Sequence, residues 1–203
     1  MHTLGTPPIL DHWRNEIFEQ GMTAMIRMMT AAAAAAGAVL VAGCTTMGGT
    51  STDTSASSGG ARAVLRMADG TEVGRAVATE VNGGIRVSLD VSKLPAGPHG
   101  AHVHTTGRCD GPDFTTAGGH WNPTNMKHGT ENPMGPHAGD FPNVQIGANG
   151  RGKLEMMLPA GTMAGLMDAD GAAFVVHAAA DDYKTDPSGN SGGRIACGVF
   201  ERS

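Results

Sequence analysis

The sequence predicts an all-β fold, an eight-stranded antiparallel Greek-key β-barrel or sandwich carrying two long functional loops. Three observations point there. Beyond residue 60, eight short runs show period-2 or continuous apolar character. Turn signals separate them, in a chain that holds 31 glycines and 11 prolines. No segment beyond residue 60 keeps a helical period over three turns, and many short strands with such punctuation fit an antiparallel sandwich or barrel.

AVLRM (63–67) and VGRAVATEV (73–81) flank Asp69-Gly70, a hairpin signal. IRVSLDV (85–91) follows Asn82-Gly83-Gly84 and alternates apolar with polar residues throughout, as a strand with one buried face does. AHVH (101–104) ends at the first long connection, residues 105–143. VQI (144–146) and KLEMML (153–158) flank Asn149-Gly150. AAFVVH (172–177) is continuously apolar up to its histidine, a second long connection covers 178–194, and IACGVF (195–200) closes the set.

At 203 residues the chain accommodates one ordinary domain with a real core and not two. Residues 25–43, MIRMMTAAAAAAGAVLVAG, have a basic start at Arg27, an apolar run too short to span a bilayer, and small residues before Cys44. They read as a secretion signal of the lipoprotein kind, with Cys44 as the lipidated residue. Residues 1–24 carry Asp11, Glu16 and Glu19, do not fit the start of such a signal, and read as an artefactual extension, with translation beginning at Met22 or Met25. From Cys44 to residue 60 the chain is rich in Ser, Thr and Gly and reads as a flexible tether. The folded domain is therefore expected at 61–203, on the periplasmic side of a bacterial cell envelope, touching a membrane only through the lipid.

Residues 61–203 hold 12 Lys and Arg against 15 Asp and Glu, a net charge of −3, and no basic stripe that would suit nucleic acid. With Cys44 assigned to the lipid, Cys109 and Cys197 remain as one pair in an oxidising compartment. A bridge between them would contribute roughly 4–5 kcal/mol in the chain-entropy model.

The chemistry concentrates in the two connections. HWNPTNMKHGTENPMGPHAGD (120–140) places three histidines and an aspartate among prolines and glycines, with almost nothing apolar to hold so long a loop. Metal is the expected answer. His102 and His104, two apart on a strand, emerge from one face and make half a metal site. Alone they would pass for surface histidines. With His120, His128, His137, Asp140 and His177 they gather six of the nine histidines in the chain. His99, in the turn LPAGPHG, is expected to be solvated.

The segments GAHVH, AGGHWNP, KHG, GPHAGD, VVHAAADDY and GNSGGRIACGV, in this order and spacing, resemble the signature segments of copper/zinc superoxide dismutases of the bacterial periplasmic, lipoprotein type. The resemblance covers 61–200. It implies copper on His102, His104, His120 and His177, and zinc on His120, His128, His137 and Asp140, with His120 shared. Four imidazoles suit Cu(II), and three nitrogens with one carboxylate close a tetrahedral structural Zn(II) site. It further implies that Asp181 accepts hydrogen bonds from His102 and His128, and that Arg194 stands over the copper as a fixed cation. The activity implied is disproportionation of superoxide to oxygen and hydrogen peroxide through a Cu(II)/Cu(I) cycle, with Arg194 and His120 as the catalytic residues and His120 as the proton donor. Arg194 and Lys184 are the candidates for steering the anion.

Three departures stand out. The spacer RCDGPDFTTAGGH between Cys109 and His120 is longer than in eukaryotic forms, which leaves the oligomeric state open, a homodimer included. Trp121 follows the shared histidine where Phe is more familiar, and Thr105 replaces a common acidic residue. The rival reading is a copper-binding or storage envelope lipoprotein on the same fold without turnover. Its support is slight: Met67, Met126, Met134, Met156, Met157, Met163 and Met167 are scattered, and no expected copper ligand is missing.

Overall fold

The computed structural model describes residues 59–203. The expected extension (1–24), signal peptide (25–43), Cys44 and the tether up to residue 58 lie outside the described residues. Nine strands form: β1 (Gly60–Arg66), β2 (Glu72–Val81), β3 (Gly84–Val91), β4 (Gly97–His99), β5 (Ala101–His104), β6 (Val144–Ile146), β7 (Gly152–Leu158), β8 (Ala173–His177) and β9 (Arg194–Arg202). Seven of them build one curled antiparallel sheet in the order β5-β8-β9-β1-β2-β3-β7, and β4 pairs with β6 as a separate ribbon. The neighbours β3–β7 and β5–β8 are far apart in sequence, so long crossovers join them, as in Greek-key connectivity. The all-β class is as expected.

Alternation decides the layers. In β3, Ile85, Val87, Leu89 and Val91 are buried while Arg86, Ser88 and Asp90 face outward. They join Leu65, Val73, Leu158, Phe141, Phe174 and Phe200 in one core. Phe174 lies at its centre, edge-on to Phe141 at 5.3 Å and to Phe200 at 6.5 Å. A smaller cluster of Phe114, Ala117, Ala173, Val175 and Cys197 packs beneath the first part of the long loop.

Two elements depart from expectation. β4 was not among the eight expected strands; it has three residues, one of them Pro98, too few for a period to register. A one-turn helix, α1 (Met163–Leu166), follows Thr162, whose hydroxyl accepts from the Gly165 N–H. With four residues it too lies below the reach of a three-turn pattern.

His99 corrects the sequence reading. It is 4% exposed, not solvated. It ends β4 opposite Val144 of β6, and its ring nitrogens lie 2.8 Å from the His177 carbonyl and 3.0 Å from that of Pro95. Burial here comes from pairing with residues more than 40 positions away.

Candidate metal centre

The edge strand β5 organises the site. Its free edge is taken up by the long loop: the Val103 N–H donates to the Gly139 carbonyl at 2.9 Å, and the Trp121 N–H donates to the Val103 carbonyl at 2.8 Å. Bridges pair His102 with Asp140 and His104 with His120. Loop residues that carry imidazoles are thereby clipped alongside the strand that carries two more. His177 arrives from β8, whose register sets Ala101 opposite Val176.

His102, His104, His120 and His177 come together, all buried, with one ligating atom from each within 4.8 Å of the others. Which nitrogen each ring offers follows from what the other nitrogen does. Nδ1 of His104 faces the Gly118 carbonyl at 2.9 Å and Nδ1 of His177 faces the Gly192 carbonyl at 3.2 Å. Their Nε2 atoms are left 3.4 Å apart. His102 commits Nε2 to Asp181 at 2.6 Å, and His120 commits Nδ1 to Asp140 at 2.8 Å. His102 Nδ1 and His120 Nε2 remain buried without a partner. Unsatisfied buried nitrogens are costly and rare, and a cation among these four would satisfy them at once.

The second group converges on a single oxygen. Oδ1 of Asp140 lies 2.8 Å from Nδ1 of His120, 3.1 Å from Nδ1 of His128 and 3.2 Å from Nδ1 of His137. Four tetrahedral ligands held about 2.0–2.1 Å from a zinc ion are about 3.3 Å from one another, so the spacing fits. His128 Nδ1 has no aligned hydrogen-bond partner, which again leaves a donor atom for a metal. Oδ2 of Asp140 is held by the N–H groups of Gly129 at 2.9 Å and His137 at 3.0 Å. His102, His120, His128 and Asp140 also bring ligand-type atoms within 4.8 Å of one another, a set without His137. Since Nε2 of His102 is spent on Asp181, His137 is the ring with a nitrogen directed at Asp140.

Asp181 links the groups. It is 3% exposed; Oδ2 accepts from His102 Nε2 and Oδ1 from His128 Nε2 at 3.0 Å. Gly189, at φ +62°, leaves room for that contact, because a Cβ there would fall 1.9 Å from Asp181 Oδ1.

Burial pushes His102 down to about 3 and His177 down to about 4, and holds His104 well below its ordinary value. Neutral imidazoles are the form that binds metal. For His128 burial acts downward too, but the carboxylates of Asp140 and Asp181 on its two sides prevail and raise it to about 9. Burial would raise Asp140, yet three imidazoles and the Gly129 N–H hold it far below the carboxylate range.

Arg194 opens β9 beside a depression of about 400 Å³ lined also by His104, His120, His137 and His177. Its two terminal nitrogens donate to the Phe114 and Gly118 carbonyls, both at 2.6 Å. The disulfide Cys109–Cys197, with Cα atoms 5.7 Å apart, ties β9 to the segment that supplies those carbonyls. Lys184 does not line the depression; its ammonium pairs with Glu131 at 2.8 Å. Sequence reading missed the Phe114 and Gly118 carbonyls, Asn143 and the Tyr183 hydroxyl. Only the last two have a side chain that could have signalled a role.

Residues 72–200 match the family model for copper/zinc superoxide dismutase. The chain is 43% identical over 138 residues to "Superoxide dismutase [Cu-Zn] 1" of Aquifex aeolicus, covering 65% of this chain and 82% of that one. It is 40% identical to "Superoxide dismutase [Cu-Zn]" of Caulobacter vibrioides, covering 70% and 85%. Among solved structures, a SOD-like protein from Bacillus subtilis superposes with a TM-score of 0.65 at 39% identity, covering 68% of this chain and 96% of that one. The Cu/Zn superoxide dismutase from Brucella abortus superposes at 0.58 and 31% identity, covering 70% and 99%.

Proposed function

The chain belongs to the copper/zinc superoxide dismutase family, and we propose that it disproportionates superoxide to oxygen and hydrogen peroxide at the two linked donor groups. The observation that carries this reading is His120, whose Nδ1 turns to Asp140 and whose Nε2 is left buried and unpartnered in a ring grouped with the other three imidazoles. His102 Nδ1 and the Nε2 atoms of His104, His120 and His177 would hold copper; the Nδ1 atoms of His120, His128 and His137 with Asp140 Oδ1 would hold zinc. Bound there, copper would supply the one-electron redox chemistry that disproportionation of superoxide requires.

The chain's own groups do the rest. Arg194 presents a fixed positive charge at the mouth, and each terminal nitrogen keeps a second N–H beyond the one given to a carbonyl. Arg194 lines the same depression as His104, His120 and His177, which supports its acting on an anion there. With Lys184 offset by Glu131, attraction of the anion falls chiefly to Arg194. His120 Nε2 belongs to a ring that lines the depression and has no protein partner, so it is the atom that can hold a proton for the departing peroxide.

We also propose the periplasmic side of a bacterial envelope as the location, with the chain anchored through Cys44 and a homodimer as one open assembly. The signal-like residues 25–43 support the location and the anchor, and so does a disulfide, a bond found mainly in oxidising compartments. The test is direct decay of superoxide by the protein reconstituted with copper and zinc, beside Arg194→Ala. Catalytic decay that the substitution slows about tenfold or more is expected. Stoichiometric metal with no decay above buffer would leave the copper-storage reading in its place.

A further inference from the structure

Asp181 joins the two donor groups, but its side chain can aim at His102 and His128 only if its backbone is held. That grip comes from elsewhere. The Asp181 N–H donates to Asn143 Oδ1 at 2.7 Å, and Asn143 Nδ2 donates back to the Asp181 carbonyl at 2.9 Å. A flipped amide would set oxygen against oxygen and nitrogen against N–H, so this pair works in one orientation only.

A hydroxyl anchors Asn143 from the other side. The Tyr183 oxygen accepts from Asn143 Nδ2 at 2.7 Å and from the Asn143 N–H at 2.9 Å. Tyr183 also donates its own N–H to Asp181 Oδ1 at 2.7 Å. Its backbone sits at φ +63°, a sparsely populated conformation for a bulky residue that persists only where the surroundings over-determine it. Those surroundings are visible: the Glu131 N–H donates to the Tyr183 carbonyl at 3.0 Å, and a Cβ on Gly129 would fall 2.0 Å from that oxygen.

We propose that Tyr183, acting through Asn143, is a positioning residue for Asp181, and thereby sets how tightly zinc is held and how the copper ligands are oriented. The inference rests on the metal assignment proposed above and deepens it. Tyr183→Phe removes the hydroxyl alone. It leaves two Asn143 N–H groups without an acceptor and the amide held by Asp181 alone, while both metal-binding groups keep every ligand.

The test uses the full chain loaded with copper and zinc. Zinc retention is read by competition with a chromogenic chelator, and the Cu(II) site by its EPR spectrum. Tyr183→Phe is expected to release zinc several-fold more readily and to shift the Cu(II) EPR parameters, with metal-free unfolding changed little; outer partners of ligands are typically worth about 10–100-fold in metal affinity, and this contact is one step further out. In an Asp181→Ala background the same substitution should cost nothing more. Asn143→Asp, which keeps an acceptor for the Asp181 N–H but has no amide N–H to donate, should weaken zinc in the same direction. Parent-like retention and EPR in both variants, or an equal loss with and without Asp181, would overturn the proposal. A parent protein that takes up no zinc or copper would instead count against the metal assignment itself.

Discussion

Asp140 Oδ1 lies 2.8 Å from Nδ1 of His120, and this contact fixes which nitrogen of the ring is left for the neighbouring donor group. Asp140→Ala should therefore do two things. It removes the carboxylate proposed to bind zinc, so zinc affinity should fall by more than the roughly 10–100-fold typical of outer partners. It also frees His120 to rotate, so the Cu(II) spectrum should change even where copper content does not. Metal analysis with EPR checks both, and an unchanged spectrum in a zinc-depleted variant would break the link between this pair and copper.

Between Asn122 and Gly139 no apolar side chain is buried; His128, Gly129, His137 and Gly139 are the buried positions. The loop has contacts through Asp140, Asp181 and Asp186, but no core. Zinc removal should accelerate amide exchange across 124–139 and leave β1, β2, β3, β8 and β9 protected. Equal protection with and without zinc would mean that the hydrogen bonds suffice.

The Cys109–Cys197 bridge spans a sequence separation of 88 and sits in the cluster of Phe114, Ala117, Ala173 and Val175. Cys197→Ser should lower stability by about 4 kcal/mol in the chain-entropy model, a drop in Tm on the order of 10 °C. The same variant should lose superoxide turnover beyond that, because the segment offering carbonyls to Arg194 loses its tie to β9. Calorimetry and decay kinetics on one sample separate the two effects.

For the metal-free protein, pH should act in opposite directions on two sets of histidines. His102 and His177 lie at about 3 and about 4 when folded, against 6.5 for a free ring, so from 6.5 down toward 4 the unfolded chain binds protons that the folded one refuses. Stability is therefore lost as pH drops across that range, by on the order of a few kcal/mol. His128, raised to about 9, contributes stability that is complete below 6.5 and is lost as pH rises through 9. Denaturant unfolding in chelator should show a maximum near pH 6.5. Greater stability at pH 4.5 than at 6.5 would contradict it.

Much of this was legible before any coordinates. IRVSLDV announces a strand with one wet face because its period is local, and β3 is just that. The imidazoles announce a metal because so many ligand-type side chains crowd two connections. Nothing local marks GPH as a strand or His99 as buried, since both depend on partners at 144–146 and at His177. Lys184 looked like a free cation in DDYKTDPSGN because its partner, Glu131, lies 53 residues away in the other loop. The anchors of Arg194 are main-chain carbonyls, which every residue possesses and no letter of the sequence distinguishes.

The Gly118 carbonyl receives both His104 Nδ1 and an Arg194 N–H. The groups proposed to attract the substrate and to hold copper therefore hang from the same atom. An engineer who shifts the guanidinium to catch a larger or more distant anion will disturb the imidazole proposed to hold copper, and one who moves His104 will re-aim the guanidinium. The two traits of this catalyst are not independent dials; a variant that improves one should be screened for the other as a matter of course.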